Sequence, residues 1–153
     1  MHINEIISPV RVEHALVATS KKRLLEQLSK LLHKDTPGLD EQAVFQCLTE
    51  REKLGSTGIG HGVALPHGRL KGLEKAIGAF AILEQEMDFD AIDQKPVKMI
   101  FALLVPEEAH DEHLKMLSKL ASIFNNEALR ERLLQARDDN EIYQCLTSQD
   151  GDD

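Results

Sequence analysis

The chain has 153 residues, with Lys+Arg 18 against Asp+Glu 26 for a formal charge of −8, and is 42% hydrophobic and 29% charged. This is one domain's worth of sequence with an ordinary globular balance, which excludes a disordered chain. The acidic charge, with aromatics at 4% and no Trp, argues against nucleic acid and against stacking platforms for bases or sugars. The longest unbroken apolar run, Met99–Val105, is seven residues, far short of the ~20 a membrane helix needs. The opening MHINEIISPVRVEH lacks a basic stretch followed by an apolar one, so no secretory signal is expected. Cys47 and Cys145 have no metal-ligand spacing, and a cytoplasmic protein with reduced thiols is the simplest expectation.

HALVA predicts a short first strand, His14–Ala18. Ser20 can cap a helix over Lys21–Lys34, where Leu24, Leu25, Leu28, Leu31 and Leu32 fall on one face. The turn DTPGLD ends it, and Asp40 can cap a second helix, Glu41–Leu54. Val44, Cys47 and Leu48 form its inward stripe, and the next position on that stripe is Arg51. A charge in line with a core face is costly unless something pairs with it. A Gly-rich stretch follows, Gly55–Gly68, with the short apolar segment Val63–Leu65 inside it. Ala76–Leu83 and Val97–Val105 are apolar enough to be covered central strands, and the residues between them read as a loop with at most a short extended piece. A helix is predicted over Ala109–Phe124 with Leu114, Leu117, Ala121 and Phe124 inward. Asn126 can cap a helix over Glu127–Ala136 with Leu129, Leu133 and Leu134 inward. Asp139 or Asn140 can cap a last helix, Glu141–Thr147, and the acidic tail 148–153 is expected to fray. No repeat or linker interrupts the chain, and the sum is a single α/β domain.

Glycines 55, 58, 60, 62 and 68 are five of the chain's nine and fall within fourteen residues. Such density implies left-handed backbone or close approach to it. The stretch has neither a Gly-Lys-Ser/Thr phosphate loop nor GxGxxG spacing, so a nucleotide site is poorly supported. At its end, Val63-Ala64-Leu65-Pro66-His67-Gly68 delivers His67 at the end of a short strand that Pro66 stops. His67 there is either a turn residue or a nucleophile, general base or metal ligand. Arg51 suits an oxyanion such as a phosphoryl group; the plainer reading is an ion pair with Glu52 or Glu86. His113 shares a helical face with Leu117 and Leu120 and either packs inward or reaches the same site, whereas His110 reads as a solvated loop residue. His110-x-x-His113 lacks the HExxH pattern of a metal site, and Ser56 is not in a nucleophile elbow.

The run from Glu52 through Ile59-Gly60-His61-Gly62-Val63-Ala64-Leu65-Pro66-His67-Gly68 resembles the active-site signature of fructose/mannitol-type enzyme IIA domains of the bacterial phosphoenolpyruvate-dependent phosphotransferase system. GSTGIGHGVALPHGR is most similar to the nitrogen-regulatory branch, and FALLVPEEAHDEHLKMLSKLA resembles the family's second block. The resemblance covers about residues 5–147. It implies a mixed β-sheet flanked by helices on both faces. It also implies that His67 is the phosphorylated residue, Arg51 the phosphate-binding arginine and His113 the second active-site histidine. Ser56, Gly58, Gly60, Gly62 and Gly68 would form the phosphoryl-binding loop, with no cofactor and no metal.

A neutral His67 would attack a phosphohistidine donor, by the resemblance through Nε2, and the donor would be a histidine phosphocarrier protein. Transfer needs mainly positioning and charge stabilisation. A phosphoryl group adds ~−1.5 to −2 charges by analogy with phosphorylated hydroxyls, enough to alter a docking surface. The absence of a sugar-binding or membrane domain favours a regulatory carrier acting on target proteins, with a potassium transporter or a sensor kinase as candidates. The alternatives are a sugar-specific IIA subunit that passes the group to a transport subunit, and a non-catalytic metabolite- or metal-binding module.

Overall fold

The computed structural model describes residues 2–148. Among the described residues, six strands and five α-helices follow in the order β1 (Val12–Leu16), α1 (Lys21–His33), α2 (Glu41–Lys53), β2 (Gly58–Gly60), β3 (Val63–Ala64), β4 (His67–Leu70), β5 (Ile77–Met87), β6 (Val97–Pro106), α3 (His110–Phe124), α4 (Glu127–Leu134) and α5 (Asp139–Thr147). The strands form one sheet in the order β1-β5-β6-β3-β2, with β4 also paired to β6. It is mixed: β5 runs antiparallel to β6 and β2 antiparallel to β3, while the other pairs are parallel.

The two long strands account for the layers. Along β6, Met99, Phe101, Leu103 and Val105 point to one face and Ile100, Ala102 and Leu104 to the other, the alternation a pleated strand imposes. The first set packs with Leu120, Phe124, Leu129, Leu133 and Ile142 of α3, α4 and α5. The second meets Leu24, Leu28, Val44 and Leu48 of α1 and α2. Both faces are therefore covered, as expected of strands that are apolar throughout. Phe80, Phe101 and Phe124 anchor the first layer with ring centroids 5.7–6.3 Å apart.

The helix starts follow the predicted caps. Ser20 accepts from the Arg23 N–H at 3.2 Å, Asp40 from Gln42 at 3.0 Å and Asn126 from Leu129 at 3.2 Å. For α5 the cap is Asp138, which accepts from Glu141 at 2.8 Å, rather than Asp139 or Asn140. β1 lies two residues earlier than HALVA suggests, because Ala15 takes φ +60° and the pairing with β5 shifts there, ending the strand at Leu16 with Val17 exposed.

Two inward assignments are corrected. Leu114 is 66% exposed, since the first turn of α3 borders a cavity and the buried stripe begins with Leu120; Leu134 is 49% exposed beside the buried Leu129 and Leu133. β5 also runs further than expected, to Met87, which pairs with Val97. The expected fraying of the acidic tail concerns residues that, after Ser148, lie outside those described. Among the described residues no helix is long and apolar enough to cross a membrane.

Candidate functional site

Pro66 interrupts the sheet without ending it. Val63 and Ala64 pair with Met99 and Ile100 of β6, and His67 and Gly68 pair with Leu103 and Leu104, so the register is the same on both sides of Leu65-Pro66. The proline has no N–H to give the ladder, but its carbonyl accepts from Leu103 at 2.9 Å and the chain re-enters as β4. His67 is thus the first residue of a strand held by the central β6, rather than a side chain at a strand's end.

The His67 ring is fixed by one contact. Its Nδ1 lies 2.7 Å from the Leu65 carbonyl oxygen, which can only accept, so Nδ1 carries the proton. The side chain is 9% exposed, and burial pushes its pKa below the usual histidine value, with the Arg51 charge acting in the same sense. The neutral ring with its proton on Nδ1 leaves the Nε2 lone pair free.

Arg51, His67, Gly68 and His113 line one cavity of about 1380 Å³, together with Cys47, Arg69, Glu107, Glu108, His110 and Leu114. The plainer reading of Arg51 fails: an ion pair with Glu52 or Glu86 does not form among the described residues. Glu52 bonds instead to Lys21 at 2.9 Å, and Arg51 donates to the Gly55 carbonyl at 2.9 Å, with no carboxylate partner among the described residues. The His113 ring meets the His67 ring edge-on, and His113 Nε2 is buried with no hydrogen-bond partner among the described residues. Burial, followed by the neighbouring His67, Arg69, Arg51 and His110, pushes the His113 pKa down to about 4, so it too is neutral. The site therefore pairs an available ring nitrogen with a permanent cation and a polar atom still lacking a partner, which suits an incoming oxyanion.

The rest of the glycine stretch is placed elsewhere. Ser56, Gly58, Gly60 and Gly62 do not line the cavity. Ser56 Oγ donates to the Phe89 carbonyl at 2.7 Å and accepts from the Gly58 N–H at 3.0 Å, while the His61 N–H goes to Asp93. His61 and Gly62 both have positive φ, +59° and +76°, forming the two-residue turn that joins β2 to β3. These residues shape the hairpin that carries His67 forward.

Two basic cavity residues escaped the sequence reading. Arg69 follows His67 by two along β4 and shares its face of the strand; that alternation was the available signal, hidden because no strand was expected there. His110, expected to be solvated, is exposed but receives a hydrogen bond from the Arg69 guanidinium. Cys47 and Cys145 are free thiols, and among the described residues no three His, Cys, Asp or Glu side chains are grouped to hold a metal.

Known proteins match this architecture. A protein described as "Nitrogen regulatory protein" from Pseudomonas aeruginosa is 42% identical over 146 residues, covering 95% of each chain. The crystal structure of nitrogen regulatory protein IIA-Ntr from Neisseria meningitidis is 46% identical and superposes with a TM-score of 0.87 over 95% of this chain and 99% of its own. The crystal structure of IIA mannitol from Escherichia coli shares the fold at a TM-score of 0.76 and 20% identity, covering 91% of this chain and 97% of that one. The sequence profile described as "Phosphoenolpyruvate-dependent sugar phosphotransferase system, EIIA 2" matches residues 5–149, and the chain belongs to that family as a IIA-type domain similar to the nitrogen regulatory proteins.

Proposed function

We propose that this protein, one domain over residues 1–153, is a cytoplasmic phosphohistidine carrier whose phosphorylation state regulates partner proteins. The observation that carries this reading is the Nδ1–H bond of His67 to the Leu65 carbonyl in a cavity shared with Arg51 and His113, which leaves Nε2 as the nucleophile. The donor is a histidine phosphocarrier protein. As Nε2 forms its bond to phosphorus, the bond between phosphorus and the donor's imidazole breaks, and the donor nitrogen keeps the electron pair. The His67 proton stays on Nδ1, where the Leu65 carbonyl stabilises the charge the ring acquires. Arg51 neutralises the phosphoryl oxygens and His113 Nε2, in its protonated tautomer, donates to one of them. Gly68 lines the same cavity and, lacking a Cβ, lets β4 lie against the Cys47 Sγ of α2; Ser56, Gly58, Gly60 and Gly62 act by shaping the loop behind it. Regulation of partners is supported by the names of the relatives that align over nearly the whole chain.

Intact mass after incubation with phosphoenolpyruvate, an enzyme I and a histidine phosphocarrier tests the reading, with His67→Ala alongside. One acid-labile phosphoryl adduct, absent from the variant, is the expected result. No adduct with several competent donors would overturn it in favour of a metabolite- or metal-binding module. Onward transfer from phospho-His67 to a fructose- or mannitol-type transport subunit would replace the regulatory half with a sugar-specific one.

A further inference from the structure

Next to Arg51 lies a carboxylate that the phosphoryl chemistry does not use. Glu52, on the last turn of α2, is 8% exposed, and all its bonds run inward. Oε2 accepts from the Thr57 backbone N–H at 2.9 Å and from Lys21 Nζ at 2.9 Å, while Oε1 accepts from Thr57 Oγ1 at 2.6 Å. Thr57 is itself buried at 4% exposure, and its carbonyl accepts from the Leu65 N–H at 2.9 Å. Leu65 then offers its carbonyl to His67 Nδ1 at 2.7 Å. A continuous series of short contacts thus runs from α1 through Glu52, Thr57 and Leu65 to the imidazole.

We propose that Glu52 is a positioning residue for phosphoryl transfer, setting the orientation and tautomer of His67 through Thr57 and Leu65; the proposal rests on the carrier reading. Burying a carboxylate costs free energy that a well-packed apolar side chain in its place would not, so fixed geometry is the natural return on it. The geometry it fixes is shared. Arg51 holds Gly55 and Glu52 holds Thr57, so consecutive residues of one helix pin both ends of a three-residue segment. Any slip of that segment moves the guanidinium and, through Leu65, the ring that takes the phosphoryl group. Lys21 secures the arrangement from α1, where its ammonium also lies 4.4 Å from the Phe89 ring centroid. In-line transfer is sensitive to displacements well below the size of an atom.

The test compares wild type, Glu52→Gln, Thr57→Val and Thr57→Ser in two measurements: initial rates of phosphorylation against donor concentration, and the His67 tautomer by 15N NMR of the imidazole. Glu52→Gln and Thr57→Val are expected to lower kcat about tenfold, with KM for the donor nearly unchanged, because the donor does not touch this network. In both, the His67 signals should move from the Nδ1–H form toward a mixture. Thr57→Ser keeps the hydroxyl and should restore both readouts. Folded Glu52→Gln and Thr57→Val proteins with wild-type kcat and tautomer would overturn the proposal, as would a rate loss that merely follows the fraction unfolded. The tautomer is read without any transfer, so a wild type that takes no phosphoryl group refutes the carrier reading while leaving the link from Glu52 to His67 separately measured.

Discussion

The His67 and His113 rings meet edge to face, with centroids 5.2 Å apart and planes inclined at 65°. They come from distant segments, one opening β4 and the other in the first turn of α3, and His67 adds to the burial that disfavours a proton on His113. A phosphoryl group on one of two neutral imidazoles side by side would give the other something to donate to. His113→Ala should therefore lower the transfer rate about 10- to 100-fold, the range for losing one donor or general acid, while still allowing the adduct on His67. Rapid-quench rates with the adduct mapped by mass would check this. Full-speed transfer in a folded variant would remove His113 from the site.

The same pair makes stability depend on pH. Burial holds the folded His113 pKa at about 4 against an ordinary 6.5, and His67 is displaced the same way. Between those values the unfolded chain binds more protons than the folded one, so unfolding becomes easier as pH falls. The contribution is fully present above pH 6.5, declines through the interval and levels off below about 4. Thermal melts from pH 7.5 to 4 should show Tm falling with acid, and His113→Gln should flatten that slope. A slope unchanged in the variant would place the acid sensitivity elsewhere.

Arg51 continues the Val44, Cys47 and Leu48 stripe of α2 and has no acid partner among the described residues; the buried Glu52 beside it is taken by Lys21. A cation left unpaired at a cavity wall is available to an oxyanion. Arg51→Ala is expected to slow transfer by roughly 10²–10³, the cost of removing a dedicated oxyanion donor, with Tm little changed. Arg51→Lys keeps the charge but loses the planar fork, and should recover only part of the rate. A large drop in Tm for both variants would instead assign Arg51 to packing.

How much of this was legible depended on range. Ser20, Asp40 and Asn126 announced their helices because a cap is a contact between residues two or three apart. The two apolar strands announced the covered sheet, and the charge on the α2 stripe flagged Arg51. Pro66 misled because its local meaning is to stop a strand, while the register of β6 carries the chain past it. Leu114 misled because helical periodicity does not tell whether a face meets a sheet or a cavity. Arg69 against His110 spans 41 residues and depends on how β4 and α3 are placed, which no local pattern encodes. The pairing of Glu52 with Lys21 was likewise hidden by the nearer candidate, Arg51.

Gly68 shows why α2 and β4 are locked together at the site. A Cβ at this position would collide with the Cys47 Sγ on α2, and that thiol in turn bonds to the Arg69 carbonyl at 3.4 Å. The backbone of β4 thus lies directly against the helix that carries Arg51, four residues beyond Cys47. Gly68→Ala must turn the Cys47 thiol aside, push the helix away or bend the strand, an overpacking that costs about 1–3 kcal/mol. Removing the opposing sulfur should relieve it, so Cys47→Ala combined with Gly68→Ala is expected to be more stable than the sum of the two single changes, with a coupling on the order of 1 kcal/mol. Urea melts of the four proteins give that coupling directly. Because the same displacement shifts Arg51 relative to His67, the transfer rate should fall in Gly68→Ala and recover in the double variant. Strict additivity in both stability and rate would show that the contact between β4 and α2 does not set the geometry of the site.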